Sequence, residues 1–476
     1  MIVNKFGGTS VGDAGRFANV ADIVAGQHAQ TLGAVRGVPV VVVSAMATVT
    51  NQLLDGAWAA ADGDVETFQS TKAALLDKHL QVVDALLRGS PDRIEVGGFV
   101  EDRLGELDRL YRSIAVLGEV TVRGLDTVAS FGEQLSSTIL AAVLRDRGVR
   151  AEAIHAAEVV VTDDQFGQAA PLMGRTRDRL QRRVLPLIDR GVVPVITGFI
   201  GATERGVTTT LGRGGSDFSA AIIGAGLDAD EVWIWSDVDG ILTADPNIVP
   251  QARTLSELSY TEAANLAYYG ASVLHPKTIR PVIERGIPLR IVNSFSPTHP
   301  GTLIVETPSE GRDLLPAIIS TTGLSLIAIG SHDDARGSGG WTLETAARAL
   351  QRLDEAGVYV PMFSQSFSEH SLNLVVRKQD QARCLAILCR EFATDREDST
   401  CSLGVNEDVA TISVVGVPGW NEMGIVSHAF AALGNHHTRV IAVAQAATEY
   451  SVSFCVPEDQ MTEAVRYLHC ELGLER

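Results

Sequence analysis

"KFGGTSVGD" occupies residues 5–13, directly after Ile2, Val3 and Asn4. Ile2–Phe6 reads as a short buried strand. Gly7 and Gly8 then let the backbone approach a bound group closely, and Val11 to Ala25 continues as a helix. A strand, a glycine turn and a helix start in succession leave backbone N–H groups pointing outward, which makes an anion site. Lys5 adds a positive charge beside them. An ordinary turn with a surface lysine is the competing reading, because the stretch matches no phosphate-loop pattern.

Moving outward, the first ~300 residues alternate short β-branched runs with longer helical patterns. Strands are expected at Ile2–Phe6, Pro39–Ser44, Val192–Phe199, Glu231–Ser236 and Pro288–Asn293. Helices are expected over Gly132–Arg147, Arg175–Arg190 and Asp217–Gly226. This is an α/β pattern, a largely parallel sheet with helices on both faces. Ligands of such sheets lie beyond the C-terminal strand ends.

The chain has 476 residues, too many for one core, and its 45% hydrophobic and 20% charged content is that of a folded protein. A net charge of −19 disfavours nucleic acid or an anionic membrane as the main partner. All five cysteines lie beyond residue 383, match no zinc or CxxC spacing, and read as reduced, mostly buried thiols. No leader is visible, and the apolar run from Val38 is too short to span a bilayer. A cytoplasmic protein is expected.

"ETPSEGRDLLP" from Glu306 interrupts the alternation and reads as a linker. Beyond it, residues 349–376 superimpose without a gap on 429–456, at an offset of 80, so that Gln365 falls on Gln445. Each copy reads helix, strand, turn, strand. Two related small modules suit ligand sensing or dimerisation better than catalysis.

Four segments carry candidate chemistry after strand ends. "VVSAMATVTN" offers Ser44 and Thr50, which read equally as turn hydroxyls. "SFGEQLSS" puts Glu133 in the first turn of a helix, where a dipole interaction is the alternative. "TTTLGRGGSD" brings Arg213, Gly214, Gly215, Ser216 and Asp217 to a helix start. "WSDVDGILTADP" supplies Ser236 and Asp237, with a plain turn as the alternative.

Together with "KFGGTS", "TGFIG" and "YGASVLHPKTI", these segments resemble the aspartokinases of the amino-acid kinase family, in the family's order over residues 5–280. The repeat resembles the family's two ACT regulatory modules. The resemblance implies an amino-acid kinase domain over 1–306, a linker over 307–315, and ACT-like α+β modules over 316–400 and 401–476, the second free to borrow a strand from 316–321. Nothing in the sequence continues into a homoserine dehydrogenase, so a stand-alone kinase is expected.

The implied activity is ATP-dependent phosphorylation of the side-chain carboxylate of L-aspartate to 4-phospho-L-aspartate. It serves lysine, threonine and methionine biosynthesis. The cofactors implied are ATP and Mg2+, the metal carried by the nucleotide rather than by a protein site. Lys5 and Asp217 are implied as catalytic. Lys5, Gly7, Gly8, Thr9, Ser10, Gly214, Gly215, Ser236, Asp237, Leu242 and Lys277 are implied for phosphate and ATP binding, with Ser236, Asp237 and Leu242 on the nucleotide-side segment. Ser44, Thr50, Glu133, Phe199, Arg213, Ser216 and Asp217 are implied for aspartate. Two departures stand out: Leu242 where many relatives have Tyr, and Ser272 where many have a basic residue, leaving Lys277 as the nearest basic group. His275, before a proline, reads as packing or capping.

Gln365 and Gln445 are implied to bind an inhibitory amino acid, threonine first and lysine second, in a homodimer or larger symmetric assembly joined through the ACT modules. A weakly active amino-acid-sensing subunit and a kinase for another amino acid are the competing functions.

Overall fold

The structure, a computed structural model, describes all residues except 32–36, 269–275, 313–314, 332–342, 367–370, 393–400, 417–423, 446–450 and 476. Two compact units divide the chain. The first comprises Met1–Ile241, Ser256–Ala264 and Ser272–Arg312, and the second Leu242–Leu255, Asn265–Ala271 and Asp313–Arg476. The expected linker is therefore anchored up to Arg312, whose guanidinium pairs with Glu262 at 2.6 Å, both side chains being partly buried.

In the first unit β1 (Ile2–Phe6) leads through a single 3-10 turn to α1 (Ala14–Gln30), then β2 (Val40–Val43). Four helices follow without an intervening strand: α2 (Val49–Ala61), α3 (Val65–Leu86), α4 (Asp92–Leu117) and α5 (Val122–Asp146). Next come β3 (Ala151–Ile154), β4 (Val161–Thr162), α6 (Met173–Arg183), α7 (Leu185–Asp189), β5 (Val193–Thr197), β6 (Ile200–Thr203), β7 (Thr208–Thr210), α8 (Gly215–Leu227) and β8 (Glu231–Ser236). The run ends with β9 (Glu257–Ser259), α9 (Tyr260–Tyr268), α10 (Pro276–Ile283), β10 (Leu289–Asn293) and β11 (Thr302–Val305). The last turn of α9 is counted with the second unit.

The main sheet runs β3-β5-β2-β1-β8-β10-β11-β9, parallel except where β10 meets β11. All five expected strands lie in it. β2 is buried at every residue, as a strand covered on both faces must be. β4, β6 and β7 form a separate small sheet.

In the second unit β12 (Ala317–Ser331), α11 (Leu343–Glu355), β13 (Met362–Ser366), β14 (Ser371–Arg377) and α12 (Gln381–Phe392) form one copy of the repeat. β15 (Cys401–Val415), α13 (Ile425–Asn435), β16 (Ala442–Gln445), β17 (Ser451–Pro457) and α14 (Glu458–Glu471) form the other. The strand order β13-β14-β12-β15-β17-β16 is continuous. The two long strands are exchanged in both directions. Ala317–Thr321 of β12 pairs with Thr411–Val415, and Cys401–Asn406 of β15 pairs with Leu326–Ser331. The strand borrowed from 316–321 is present, but residues 401–406 also complete the first copy, so residue 400 does not separate two independent modules.

Leu242–Leu255, expected within the first domain, belongs to this unit. Its Thr243 hydroxyl meets His469 Nε2 at 3.0 Å, and its carbonyl accepts from Ile318 at 2.7 Å. Ala244 and Val249 join the core beneath α13 and α14. Of the cysteines, Cys384 and Cys455 are buried, with thiols pushed up by burial to about 11 and about 12, while Cys389 and Cys470 are exposed.

Candidate active site

Parallel pairing brings Phe6, Val43, Thr197 and Trp235 to one edge of the main sheet. The segments after them converge on a cavity of about 600 Å³. Lys5, Gly8, Ser44, Thr50, Glu133, Phe199, Arg213, Gly214, Gly215, Ser216 and Asp217 all line it, as do Met46, Ala47, Thr48 and Asn51, which the sequence reading did not single out.

Lys5 Nζ lies 2.6 Å from Asp217 Oδ1, with the side chains 12% and 18% exposed. The pair is thus reachable from the cavity yet shielded from bulk water, where charge placement is most effective. Asp217 stands in the first turn of α8, whose N-cap Gly214 has φ +70° and no side chain to occupy the first amides. That helix start is open to an anion. The helix after Lys5 differs from expectation: α1 begins at Ala14, and the Asp13 carboxylate accepts from Arg16 N. An aspartate cap makes that helix end unsuitable for an anion. The amides beside Lys5 belong instead to the 3-10 turn Gly8–Val11.

Glu133 is a mid-helix residue. α5 starts at Val122, so the dipole alternative fails. The reason is packing: a Cβ on Gly132 would lie 2.6 Å from Ala45 Cβ, so glycine lets α5 seat against the loop after β2. Glu133 is 3% exposed, its Oε2 has no hydrogen-bond partner among the described residues, and burial raises its carboxyl to about 8 against the pull of the Ala45 amide. A buried acceptor facing a cavity calls for a cation there. Arg213 is exposed and makes no hydrogen bond or ion pair among the described residues, so its planar fork is available to a carboxylate.

Two non-glycine residues of the lining hold left-handed backbone, Thr48 at φ +70° and Phe199 at φ +65°. Such conformations persist where surroundings enforce them, and they gather at functional sites. At Phe199 the Leu211 amide donates to its carbonyl at 3.0 Å, and Gly215 leaves room for the ring, since a Cβ there would sit 2.5 Å from it. At Thr48 the enforcement comes from Lys78, whose ammonium donates to Ala47 O at 2.6 Å.

Other expected residues have different surroundings. The Ser10 hydroxyl is buried against Ser294 Oγ at 3.0 Å and ties its turn to the end of β10. Gly7 caps the 3-10 turn, and Thr9 is exposed with its carbonyl accepting from Arg16. Ser236 closes β8 and donates to Asp237 Oδ1 at 3.1 Å. Leu242 bridges Thr254 in the second unit. Ser272 and His275 lie outside the described residues, and Lys277 is described only as part of α10. Gln365 and Gln445 stand near the ends of β13 and β16, opposite Leu372 and Val452. Among the described residues no group of three or more His, Cys, Asp or Glu could hold a metal, and no helix is long and apolar enough to cross a membrane.

The model of the amino acid kinase family matches residues 1–293, and an ACT domain model matches 412–472. Aspartokinase 1, chloroplastic, of Arabidopsis thaliana is 32% identical over 98% of this chain and 79% of its own length. The chain belongs to the aspartokinases of the amino acid kinase family. Another aspartokinase relative, the bifunctional aspartokinase/homoserine dehydrogenase 2, chloroplastic, of Arabidopsis thaliana, is 32% identical over all of this chain, which spans only 51% of that protein. E. coli aspartokinase III is similar in structure at 28% identity. Its complex with aspartate and ADP (R-state) gives a TM-score of 0.77 over 99% of this chain and 100% of that one. Its complex with lysine and aspartate (T-state) gives 0.79 over 99% of each. The aspartokinase fold, a mostly parallel kinase sheet followed by ACT-type α+β structure, thus accounts for nearly the whole chain.

Proposed function

We propose that the chain phosphorylates the side-chain carboxylate of L-aspartate from ATP, giving 4-phospho-L-aspartate and ADP. The observation that carries this reading is a single cavity lined by the Lys5–Asp217 ion pair, a guanidinium with no partner among the described residues (Arg213) and a buried carboxyl whose Oε2 has none there either (Glu133). An amino acid with a second carboxylate complements that set. Glu133 takes its ammonium and Arg213 one carboxylate. The other carboxylate oxygen attacks the γ-phosphorus, and the bond from phosphorus to the β,γ-bridging oxygen breaks as ADP leaves. No general base has to deprotonate the attacking group, because a carboxyl of pKa ~4 is already ionised at neutral pH. What the reaction requires is alignment of two anions and neutralisation of their charge. Lys5 and the free amides of its turn and of α8 do this on the phosphates. Mg2+ arrives on the nucleotide. ADP release measured with aspartate, glutamate and N-acetylglutamate tests the reading, with turnover expected on aspartate alone.

Arg213→Lys is expected to raise the KM for aspartate by about tenfold with kcat little changed, since an ammonium cannot reproduce a two-point fork. An unchanged aspartate dependence removes Arg213 from the substrate site.

Regulation is proposed through the ACT pair. A side-chain amide both donates and accepts, so Gln365 and Gln445 suit the two ends of a zwitterion. We expect L-threonine to inhibit, with lysine second, and Gln365→Ala to lose the inhibition while keeping its basal rate. Absence of inhibition and of calorimetric binding by both amino acids refutes the sensing role. A symmetric homodimer, a cytoplasmic location and supply of lysine, threonine and methionine synthesis complete the proposal. The buried thiols Cys384 and Cys455 support a reducing compartment.

A further inference from the structure

The helix that delivers Glu133 carries a second buried carboxylate, two turns earlier. Asp126 is 3% exposed and does not line the cavity. Its Oδ2 accepts from Gly167 N at 2.9 Å and Thr210 N at 3.1 Å, and its Oδ1 accepts from Thr210 Oγ1 at 2.6 Å. Three donors and, among the described residues, no cation pair with it. The segments it joins are also joined to each other, since Ala169 N donates to Thr210 O at 2.9 Å. Thr210 ends β7, Leu211 N bonds Phe199 O at 3.0 Å, and Arg213 follows two residues later.

We infer that Asp126 is a positioning residue that fixes Arg213 at a set distance from Glu133, so that one rigid helix spaces both grips on the substrate. The inference rests on the aspartate kinase reading. Seven residues separate Asp126 from Glu133 on α5, which places them on one face. A longer or shorter separation of carboxylate and ammonium sites would no longer match aspartate.

The test is steady-state kinetics and calorimetric aspartate titration on the full chain. Asp126→Ala is expected to raise KM and Kd for aspartate by about ten- to a hundredfold, with the KM for ATP within about twofold of wild type. Asp126→Asn is expected to stay close to wild type. Its amide oxygen can accept both backbone N–H groups while its NH2 donates to the Thr210 hydroxyl, which turns to accept. Adding Thr210→Val to Asp126→Asn strips that acceptor and should return aspartate affinity to the Asp126→Ala range. Should Asp126→Ala fail to fold, the Asn variant with and without Thr210→Val decides the matter. The inference is overturned if Asp126→Ala binds aspartate within about twofold of wild type, or if the Asn and Ala variants are equally impaired. A wild type that binds aspartate but never releases ADP refutes the kinase reading and leaves the binding comparison to judge Asp126.

Discussion

Lys5→Ala leaves the chain folded and lowers kcat for aspartate-dependent ADP release by about 10³-fold, the range expected when one preorganised charge is removed from phosphoryl transfer. The lysine sits on β1, one of the two central strands of the eight-stranded sheet, and its neighbours Asn4 and Phe6 are held by backbone pairing on both sides. Losing the side chain therefore costs little structure. What it leaves is the Asp217 carboxylate without its 2.6 Å partner, an added negative charge facing incoming phosphates. Asp217→Ala should fall into the same range, and the double variant should be no worse than either single one, because both serve one arrangement. Turnover of Lys5→Ala within a factor of about three of wild type would show that the opening turn does not hold the phosphates.

Glu133→Gln should cost about a hundredfold in kcat/KM for aspartate, the usual loss when one member of a buried charge pair is removed. The pH dependence is more diagnostic. In the free protein burial holds the Glu133 proton up to about 8. Pairing with an ammonium needs the carboxylate, so aspartate binding below that pH releases a proton. kcat/KM for aspartate should rise up to about tenfold per pH unit between roughly pH 6 and 8, then level off, and Glu133→Gln should abolish the slope. The same shift fixes the sign for stability. Because the folded carboxyl titrates above its unfolded value of 4.5, its contribution is complete below that pH and is lost as pH rises through about 8. Glu133→Gln, which never ionises, should therefore be more stable than wild type at pH 8, and the difference should shrink as pH falls toward 4.5. A flat aspartate profile between pH 6 and 8 is incompatible with this assignment.

Much of the site was legible because parallel strands advertise themselves. β1 and β8 coincide with the expected ranges, and β2, β5 and β10 differ by a residue or two at their ends. Cavity-lining residues follow directly from those ends. What escaped depends on contacts distant in sequence. Gly132 reads as a helix start, yet it is an interior residue selected by Ala45, more than eighty positions earlier. The three consecutive helices α2, α3 and α4 have no short-range punctuation tying them to the sheet, and with them went Lys78, whose value lies in reaching Ala47 O. Ser10 sits inside the most specific stretch of the chain, but its hydroxyl serves a turn-to-strand tie with Ser294. Asp126 resembles any acidic residue of a helix until Thr210 and Gly167 are placed against it.

The two-way exchange between β12 and β15 has a consequence for biosynthesis. Residues 317–321 emerge from the ribosome long before 411–415, their pairing partners, and residues 326–331 must wait for 401–406. Neither half of the second unit can close its sheet while the chain is still short of the second copy, and pairings at such sequence separation are slow to form. Until then the edges of β12 remain open to strands of neighbouring nascent chains. The second unit therefore matures late and all at once, and truncations ending near residue 400 should be recovered as aggregates rather than as a soluble kinase unit.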